Sequence, residues 1–349
     1  MATEIGDSFT SLDLVRRLDP NGSIADLVES MAQSNEIHDD IPWIECNNGT
    51  GHLTSVRTGY PSGTWRKLYG GVLPGKSTAK QVMETTGMLE AYSEIDKSLA
   101  DINNNSAKWR LSEERGYTEG LNQDLAYGIF YNDTAIDPEK ILGLGPRFDT
   151  PTADEDQVGS QIIDGGGSNS DNTSLWLIVW GPDTVHGLYP KGSKMGLVIE
   201  DKGQVTVGDA TNGYYEAYRT HYKWDVGFCV RNWKAIVRIA NLDISNLATA
   251  GADTDVSANL MNLMLEAEDR IPTRLYALGK PVWYGNKRVR TALKKQLLNR
   301  ANTLIALEQL TGTGGIIRPT KTLTFDGIPL RQVDKIGIAE AALTGTFWS

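Results

Sequence analysis

Histidine is the side chain that most often binds metals or transfers protons near neutral pH. The chain has four histidines, and they are scattered along it: His38, His52, His186 and His221. No two of them lie four residues apart, and the sequence His-Glu-x-x-His does not occur. Because zinc sites need clustered nitrogen or sulfur ligands, the spacing predicts no metal site.

Two glycine-rich segments could in principle cradle a phosphate: Gly165-Gly166-Gly167 and Gly312-Thr313-Gly314-Gly315. A phosphate-binding P-loop ends in lysine followed by serine or threonine, which neither segment has, so a flexible loop is the favoured interpretation of both. The Gly-x-Ser-x-Gly nucleophile motif is also missing, and spacing alone singles out no catalytic pair of carboxylates. We therefore expect a protein that is not an enzyme, with no catalytic residue and no cofactor.

Basic residues cluster on a predicted helix near the C-terminal end: Lys287, Arg288, Arg290, Lys294, Lys295 and Arg300. Such a helix could touch nucleic acid. A solvated amphipathic face, or a partner for acids of another subunit, is favoured, because the net charge of −10 argues against a general nucleic-acid binder. The aromatic run Tyr214, Tyr218, Tyr222 and Trp224 could stack on bases, but it is more typical of a core strand.

The strongest signal is a division of charge within the first quarter of the chain. Residues 1–45 hold ten acids and two arginines, a formal charge of −8, whereas residues 46–83 hold five bases and no acid. A charge run is usually only solvated surface, but the basic part also lacks a clear apolar face. Opposite patches steer association and set its register. We therefore expect this quarter to contact other copies of the chain.

The residues expected at that contact form two sets. The basic set, in which Trp65 and Tyr69 are the expected anchors, is Arg57, Tyr60, Trp65, Arg66, Lys67, Tyr69, Lys76 and Lys80. The acidic set is Asp19, Asp26, Glu29, Glu36, Asp39 and Asp40.

The elements that must position these residues can be predicted from turn signals and periodicity. The turn Asp19-Pro20-Asn21-Gly22 divides two short helices. A long hairpin follows, and the four-residue spacing of Tyr117, Leu121, Leu125 and Ile129 predicts a helix of about 25 residues that begins near Ser106. The expected ranges are 11–18 and 23–34 for the helices, 50–59 and 77–93 for the hairpin limbs, and 133–172 for a loop region.

The sequence after residue 172 predicts strands and two further helices. The fold class is therefore expected to be α+β. Strands are expected within 175–240, with a hairpin turn at Asp201-Lys202-Gly203, and the apolar run Leu175 to Trp180 is expected to be a buried strand. Helices are expected over 257–270 and from a cap at Asn286 to Asn299, with strands at 281–284, 323–325 and 328–333.

Two cysteines, Cys46 and Cys229, cannot form a disulfide framework. They are expected to be buried thiols of a protein made in a reducing compartment. The N-terminal residues show neither the basic start nor the apolar run of a signal peptide. With no apolar run near the roughly 20 residues that span a bilayer, we expect a soluble protein without a membrane partner.

The order of arm, hairpin, long helix and α+β remainder resembles the major capsid proteins of tailed bacteriophages, which share the Hong Kong 97 fold. The local sequence is most similar to the short-tailed phages of the Bordetella-phage type, and the match is densest over residues 10–130. The segments that carry it are Leu14-Val15-Arg16-Arg17-Leu18-Asp19-Pro20-Asn21-Gly22, Gln33-Ser34-Asn35-Glu36-Ile37, Trp43, Thr50-Gly51-His52, Val56-Arg57-Thr58-Gly59-Tyr60-Pro61, Trp65-Arg66 and Gly87-Met88-Leu89-Glu90-Ala91.

The resemblance implies a domain organisation. Residues 1–45 would be an N-terminal arm, 46–92 an extended loop laid over a neighbouring subunit, and 93–139 a peripheral domain with a spine helix. Residues 140–320 would be mostly an axial domain, and 321–349 would be strands that return to the peripheral domain.

The resemblance also implies a function. The chain would self-assemble into pentamers and hexamers of an icosahedral phage head around double-stranded DNA, which it would contact non-specifically. Its other partners would be a portal protein and, in addition, a decoration or cement protein and a scaffold. It would belong to the virion and be assembled in the host bacterial cytoplasm. Two alternatives stay open, an encapsulin-like compartment shell and a soluble hydrolase.

Overall fold

A computed structural model describes most of the chain. The described residues are 33–49, 51–101, 106–208, 213–249, 260–299, 305–310 and 320–348. The helix predicted over 11–18 lies outside them, as does the helix predicted over 23–34 up to residue 32. The described chain begins with a short 3₁₀ helix, Glu36–Asp39, and strand β1, Trp43–Glu45.

The long hairpin follows, as predicted. It consists of β2, Gly51–Gly59, and β3, Thr78–Asp96, which pair antiparallel. Strand β3 changes partner midway: up to Thr85 it pairs with β2, and from Thr86 it pairs with β8, Tyr214–Val230. We call residues 51–85 the ribbon, residues 60–77 the ribbon tip, and residues 84–87 the ribbon root.

Helix α1, Lys97–Ala100, leads to the long helix α2, Ser106–Tyr131. Side chains four residues apart share one helix face. As predicted from that spacing, Leu121, Leu125 and Ile129 are buried. Helix α2 lies against the sheet that β3 and β8 form, where Tyr117 stacks on Tyr222 with ring centroids 5.1 Å apart.

In the described part of the chain, 13 strands join into one sheet. Besides β1, β2, β3 and β8, these are β4 Ile162–Asp164, β5 Asn172–Trp180, β6 Val185–Tyr189, β7 Val198–Gly208, β9 Ile236–Asp243, β10 Lys280–Gly285, β11 Ile305–Leu310, β12 Thr320–Phe325 and β13 Ile328–Gln332. Strand β5 is buried along its whole length, which confirms the buried strand predicted from the apolar run, and it pairs antiparallel with β9 on one side and β10 on the other. The ribbon leaves this sheet at one edge, in the order β6, β8, β3, β2.

The described residues form four further helices: α3 Ile244–Thr249, α4 Leu260–Arg270, α5 Thr273–Tyr276 and α6 Lys287–Asn299. Helix α6 begins as predicted, because the Oδ1 of Asn286 accepts a hydrogen bond of 3.1 Å from the backbone N–H of Arg288. The C-terminal segment is held by Glu340, whose carboxylate accepts hydrogen bonds from Arg238 Nη2 at 2.8 Å and Ser174 Oγ at 2.5 Å.

The predicted turn at Asp201-Lys202-Gly203 is wrong. Strand β7 runs through these residues and pairs with β8, with a register shift between Asp201 and Gly203. Gly203 has a φ of 69°. Glycine with a positive φ occurs in β-bulges as well as in hairpin turns. The residue types at this position therefore predicted a turn where the strand has a bulge.

Gly165-Gly166-Gly167 lies in a loop, as predicted, and hydrogen bonds fix the backbone of that loop. The N–H groups of Gly165 and Gly167 donate hydrogen bonds of 2.8 Å to the carbonyls of Ala240 and Asn241. A Cβ added at Gly167 would lie 2.5 Å from the carbonyl oxygen of Asn241. Glycine is therefore required here by a close backbone approach. The other glycine-rich segment, 312–315, lies outside the described residues.

Candidate assembly surface

The ribbon tip exposes a group of large apolar and aromatic side chains. Trp65 and Tyr69, the two expected anchors, have relative exposures of 103% and 104%. They belong to a set of six exposed side chains: Tyr60, Trp65, Leu68, Tyr69, Val72 and Leu73. Large apolar side chains exposed together on one projecting segment mark a candidate interaction site.

Three aliphatic members of this set were not predicted from the sequence as contact residues: Leu68, Val72 and Leu73. They lie among glycines and prolines, so they follow neither the two-residue period of a strand nor the helical period that usually identifies a buried face. A cluster of large side chains inside a turn-rich segment is the signal that could have identified them.

Basic residues lie within the ribbon tip and on the two strands next to it. Arg57, Arg66, Lys67, Lys76 and Lys80 are all exposed. The Arg57 guanidinium carbon lies 5.6 Å from the ring centroid of Tyr60, within the range of a cation–π contact. The tip turns at Tyr69, which has a φ of 63°, and there the N–H of Gly70 donates to the carbonyl of Lys67 at 3.0 Å. The fold thus presents charge and apolar surface together on one projecting element.

The described acids of the arm divide into two kinds. Asp40 is buried, and its carboxylate lies 2.6 Å from Lys280 Nζ and 3.3 Å from Arg331 Nε of the same chain. Glu36 lies 3.6 Å from Arg331 Nη1. Asp39 is exposed.

The acidic set therefore differs from the expectation at Asp40, which fastens the arm to its own subunit. Its carboxylate also accepts a hydrogen bond of 3.0 Å from the hydroxyl of Tyr284. We leave Asp40 out of the contact proposed below. The other acids of the set, Asp19, Asp26 and Glu29, lie outside the described residues.

A second arm contact runs along helix α2. The N–H of Gln33 donates to Glu119 Oε1 at 2.9 Å, and His38 Nε2 lies 3.1 Å from the carbonyl oxygen of Asn122. Burial lowers the pKa of His38. The start of the described arm is thus packed on the helix of its own subunit.

Two histidines meet where the ribbon joins the body of the subunit. His52 on β2 and His186 on β6 have ring centroids 5.7 Å apart in an edge-to-face arrangement. Burial, followed by the nearby His52 and Arg231, lowers the pKa of His186 to about 4. Burial also lowers the pKa of His52. Both imidazoles are therefore kept neutral at pH 7, as buried histidines usually are.

The cysteines lie beside this histidine pair as buried thiols, as expected. Cys46 and Cys229 pack with Leu188 in a small apolar cluster. Burial, and next the charge of Glu84, raises the pKa of Cys229 to about 12. A thiol with a raised pKa stays protonated and unreactive at neutral pH.

The basic helix and the aromatic run differ in outcome. On α6, Val289, Ala292 and Leu293 are buried while Lys287 and Arg288 are exposed, so the helix is amphipathic, as expected. On β8, Tyr222 is buried beneath α2 and Tyr218 and Trp224 are half-buried, but Tyr214 is exposed, so the core strand expected for the aromatic run is wrong at Tyr214. Among the described residues, no three His, Cys, Asp or Glu side chains are grouped to hold a metal ion. None of the described helices is long and apolar enough to cross a membrane.

The fold and the projecting ribbon define a shell-forming structural subunit, and comparison with solved structures supports this class. A chain in the structure of bacteriophage Epsilon15 is 33% identical, with a TM-score of 0.76, over 98% of this chain and 99% of that one. The capsid of bacteriophage JBD30 shares the fold, with a TM-score of 0.50 at 9% identity over 88% of this chain and 93% of that one.

The particular family follows from the sequence. The model of the family described as major capsid protein GP7 matches residues 19–344, and the chain belongs to that family. It is a phage major capsid protein, a structural component of the virion that assembles with copies of itself into the capsid shell. Its mixed helix and sheet architecture is the Hong Kong 97 type that the sequence predicted. No curated protein matches the chain.

An encapsulin of Synechococcus elongatus is similar only at a TM-score of 0.38 and 9% identity, over 63% of this chain and 93% of that one. At that level the similarity carries no argument for a compartment shell.

Proposed function

We propose that the chain forms pentamers and hexamers of an icosahedral head around double-stranded DNA, and that the ribbon of each subunit lies on a neighbouring copy. The observation that carries this proposal is the ribbon tip, where six large side chains are exposed beside exposed bases. An isolated two-stranded ribbon is only marginally stable in water, so this surface gains most from burial against another subunit.

Charge complementarity would set the register of this contact. The ribbon is free of acids from Cys46 to Met83, and exposed acids of a neighbour, Asp39 among them, can face it. Each exposed pair contributes only about 0–1 kcal/mol, so the buried apolar tip supplies most of the affinity. Closed shells form when such head-to-tail contacts repeat with a rotation that closes.

The domain organisation that we propose is the one implied by the resemblance to tailed-phage major capsid proteins. Residues 1–45 are the arm and 46–92 the extended loop, with 93–139 as peripheral domain, 140–320 mostly axial domain, and 321–349 returning to the peripheral domain. Within the proposed extended loop, the residues from Thr86 to Tyr92 pair with β8 of the same subunit.

The proposed partners of the shell are a portal protein, a scaffold and a decoration protein, with non-specific contacts to the packaged DNA. A net charge of −10 suits an inner surface that must release DNA. We propose that assembly occurs in the host cytoplasm and involves no catalysis and no cofactor.

The test is charge reversal on the ribbon. The triple variant Arg57→Glu, Arg66→Glu and Lys67→Glu should leave the subunit folded by circular dichroism and abolish closed shells in electron micrographs. The matched control, Lys191→Glu, Lys194→Glu and Arg274→Glu, makes the same change of charge at exposed positions outside the ribbon and should still give shells. Normal shells from the ribbon variant would refute the proposed contact.

A further inference from the structure

The ribbon root contains a buried ion pair between residues that are 63 positions apart. Arg147 Nη1 lies 2.8 Å from Glu84 Oε1, and Arg147 Nη2 lies 2.7 Å from Glu84 Oε2. The exposed fractions of the two side chains are 16% and 8%. This paired geometry resists rotation more strongly than a single hydrogen bond.

Glu84 occupies the position at which the ribbon separates from the body. It is opposite His52 on β2, whereas Thr86, two residues later, is opposite Gly227 on β8. It is also the first acid after the acid-free stretch. A carboxylate placed here can fix the direction in which the ribbon leaves the sheet.

The position of Arg147 is fixed because backbone hydrogen bonds join its loop to the end of helix α2. The N–H groups of Gly143 and Leu144 donate hydrogen bonds of 2.8 Å to the carbonyls of Asn132 and Ile129. The N–H of Gly145 donates to the carbonyl of Phe130 at 2.6 Å. The loop thus extends the helix as a rigid support.

A second contact lies three residues along β3 from the first. A Cβ added at Gly87 would lie 3.0 Å from the carbonyl oxygen of Glu139, so the strand and the loop approach closely there. Two contacts at different points of one strand define an orientation, which one contact alone does not.

We propose that the Glu84–Arg147 ion pair positions the ribbon for contact with a neighbouring subunit by fixing the angle at which it leaves the body. This inference rests on the proposed ribbon contact. Buried ion pairs add little net stability compared with apolar replacements, and their best-supported role is to specify one geometry. Glu84 and Arg147 are therefore positioning residues, distinct from the tip residues that would make the contact.

The test measures ribbon orientation before assembly. Spin labels on Ser62→Cys at the tip and Arg115→Cys on α2 report the distance between ribbon and body in dilute, unassembled full-length subunits. The native Cys46 and Cys229 are buried, which directs labelling to the introduced sites. In the double variant Glu84→Met with Arg147→Met, no buried charge is left unpaired, and we expect a shifted and broader distance distribution together with the loss of most closed shells.

Two further variants separate positioning from folding. Arg147→Lys keeps the charge but loses the paired geometry, and it should give an intermediate distribution. The control Glu94→Met with Arg219→Met removes an ion pair of 2.5 Å on the body half of the same strand and should leave both the distances and the shells unchanged.

An unchanged distance distribution in the folded Glu84→Met, Arg147→Met variant would overturn the inference. A broadened distribution with normal closed shells would instead contradict the proposed ribbon contact. If that variant fails to fold, the Arg147→Lys distribution decides, and a wild-type distribution there would overturn the inference as well.

Discussion

Strand β3 passes through two different environments, and the difference separates the two tasks of the subunit. Its body half, from Thr86 to Asp96, pairs with β8 and buries Ser93 and Ile95. Its ribbon half, from Thr78 to Thr85, pairs only with β2 and is largely exposed. The body half is packed in the sheet of its own chain, whereas the ribbon half leads to the exposed tip, which we propose a second copy of the chain covers. On this proposal, folding and assembly depend on separate residues.

The largest effect expected from this comparison concerns two tryptophans. Trp176 is buried on β5, with the Phe130 and Phe148 rings 5.9 and 6.0 Å away. Trp176→Ala should lower the free energy of unfolding by about 3–5 kcal/mol. Trp65→Ala should change it by less than about 0.5 kcal/mol, because the side chain is fully exposed in the subunit. Denaturant unfolding of unassembled subunits measures both, and equal losses would contradict the separation.

The junction between ribbon and body, where His186 lies, should make the free energy of unfolding depend on pH. The pKa of His186 is about 4 in the folded subunit, below its unfolded value near 6.5, so the folded state resists protonation. Its contribution to stability is complete above pH 6.5 and is lost as the pH falls towards 4, by up to about 3 kcal/mol. His186 faces His52 and Cys229, with Arg231 and Asp183 nearby.

The check is the unfolding free energy of unassembled subunits as a function of pH, for the wild type and for His186→Phe. The variant has no group to protonate at this position, so its curve should be flatter between pH 6.5 and 4. Parallel curves would show that His186 does not carry the effect.

A smaller effect is expected at the aliphatic part of the ribbon tip. Leu68→Ser with Leu73→Ser should leave the unfolding free energy unchanged and raise the subunit concentration needed for assembly by about tenfold, since an interface contact of about 1–2 kcal/mol is lost. Ile136→Ser with Leu278→Ser, at two other exposed apolar positions, is the matched control. Light scattering against concentration measures both variants. If both variants raise the concentration needed for assembly equally, the ribbon tip contributes no more to assembly than the body does.

The smallest effect is electrostatic. Exposed ion pairs contribute about 0–1 kcal/mol each and are screened by salt. The rate of shell assembly should therefore fall between low and high ionic strength, and Lys76→Gln should reduce the slope of that dependence. Stopped-flow light scattering measures it. A salt dependence identical to the wild type in this variant would exclude Lys76 from the contact.

Features set by residues close together in the sequence could be predicted from it, whereas features set by distant residues could not. The helix from Ser106 was predicted because the four-residue spacing of its apolar side chains is a local pattern, and the hairpin because a glycine- and proline-rich tip separates its two limbs. The bulge at Gly203 was mistaken for a turn, because glycine in a left-handed conformation serves both.

Two other features depend on distant partners. The burial of Asp40 could not be predicted from the sequence, because it depends on ion pairs with Lys280 and Arg331, which lie far along the chain. The pairing of Glu84 with Arg147 has no local signature at all. Charge and turn signals therefore identified the ribbon, whereas tertiary contacts define how it is held.

We propose that a second copy of the chain covers the exposed ribbon tip in the assembled shell. Electron cryo-microscopy of closed shells would show this contact. We expect residues 60–77 of each subunit to contact a neighbouring copy, and Trp65 and Tyr69 to lose their exposure there. A closed shell in which both side chains still face solvent would contradict the proposal.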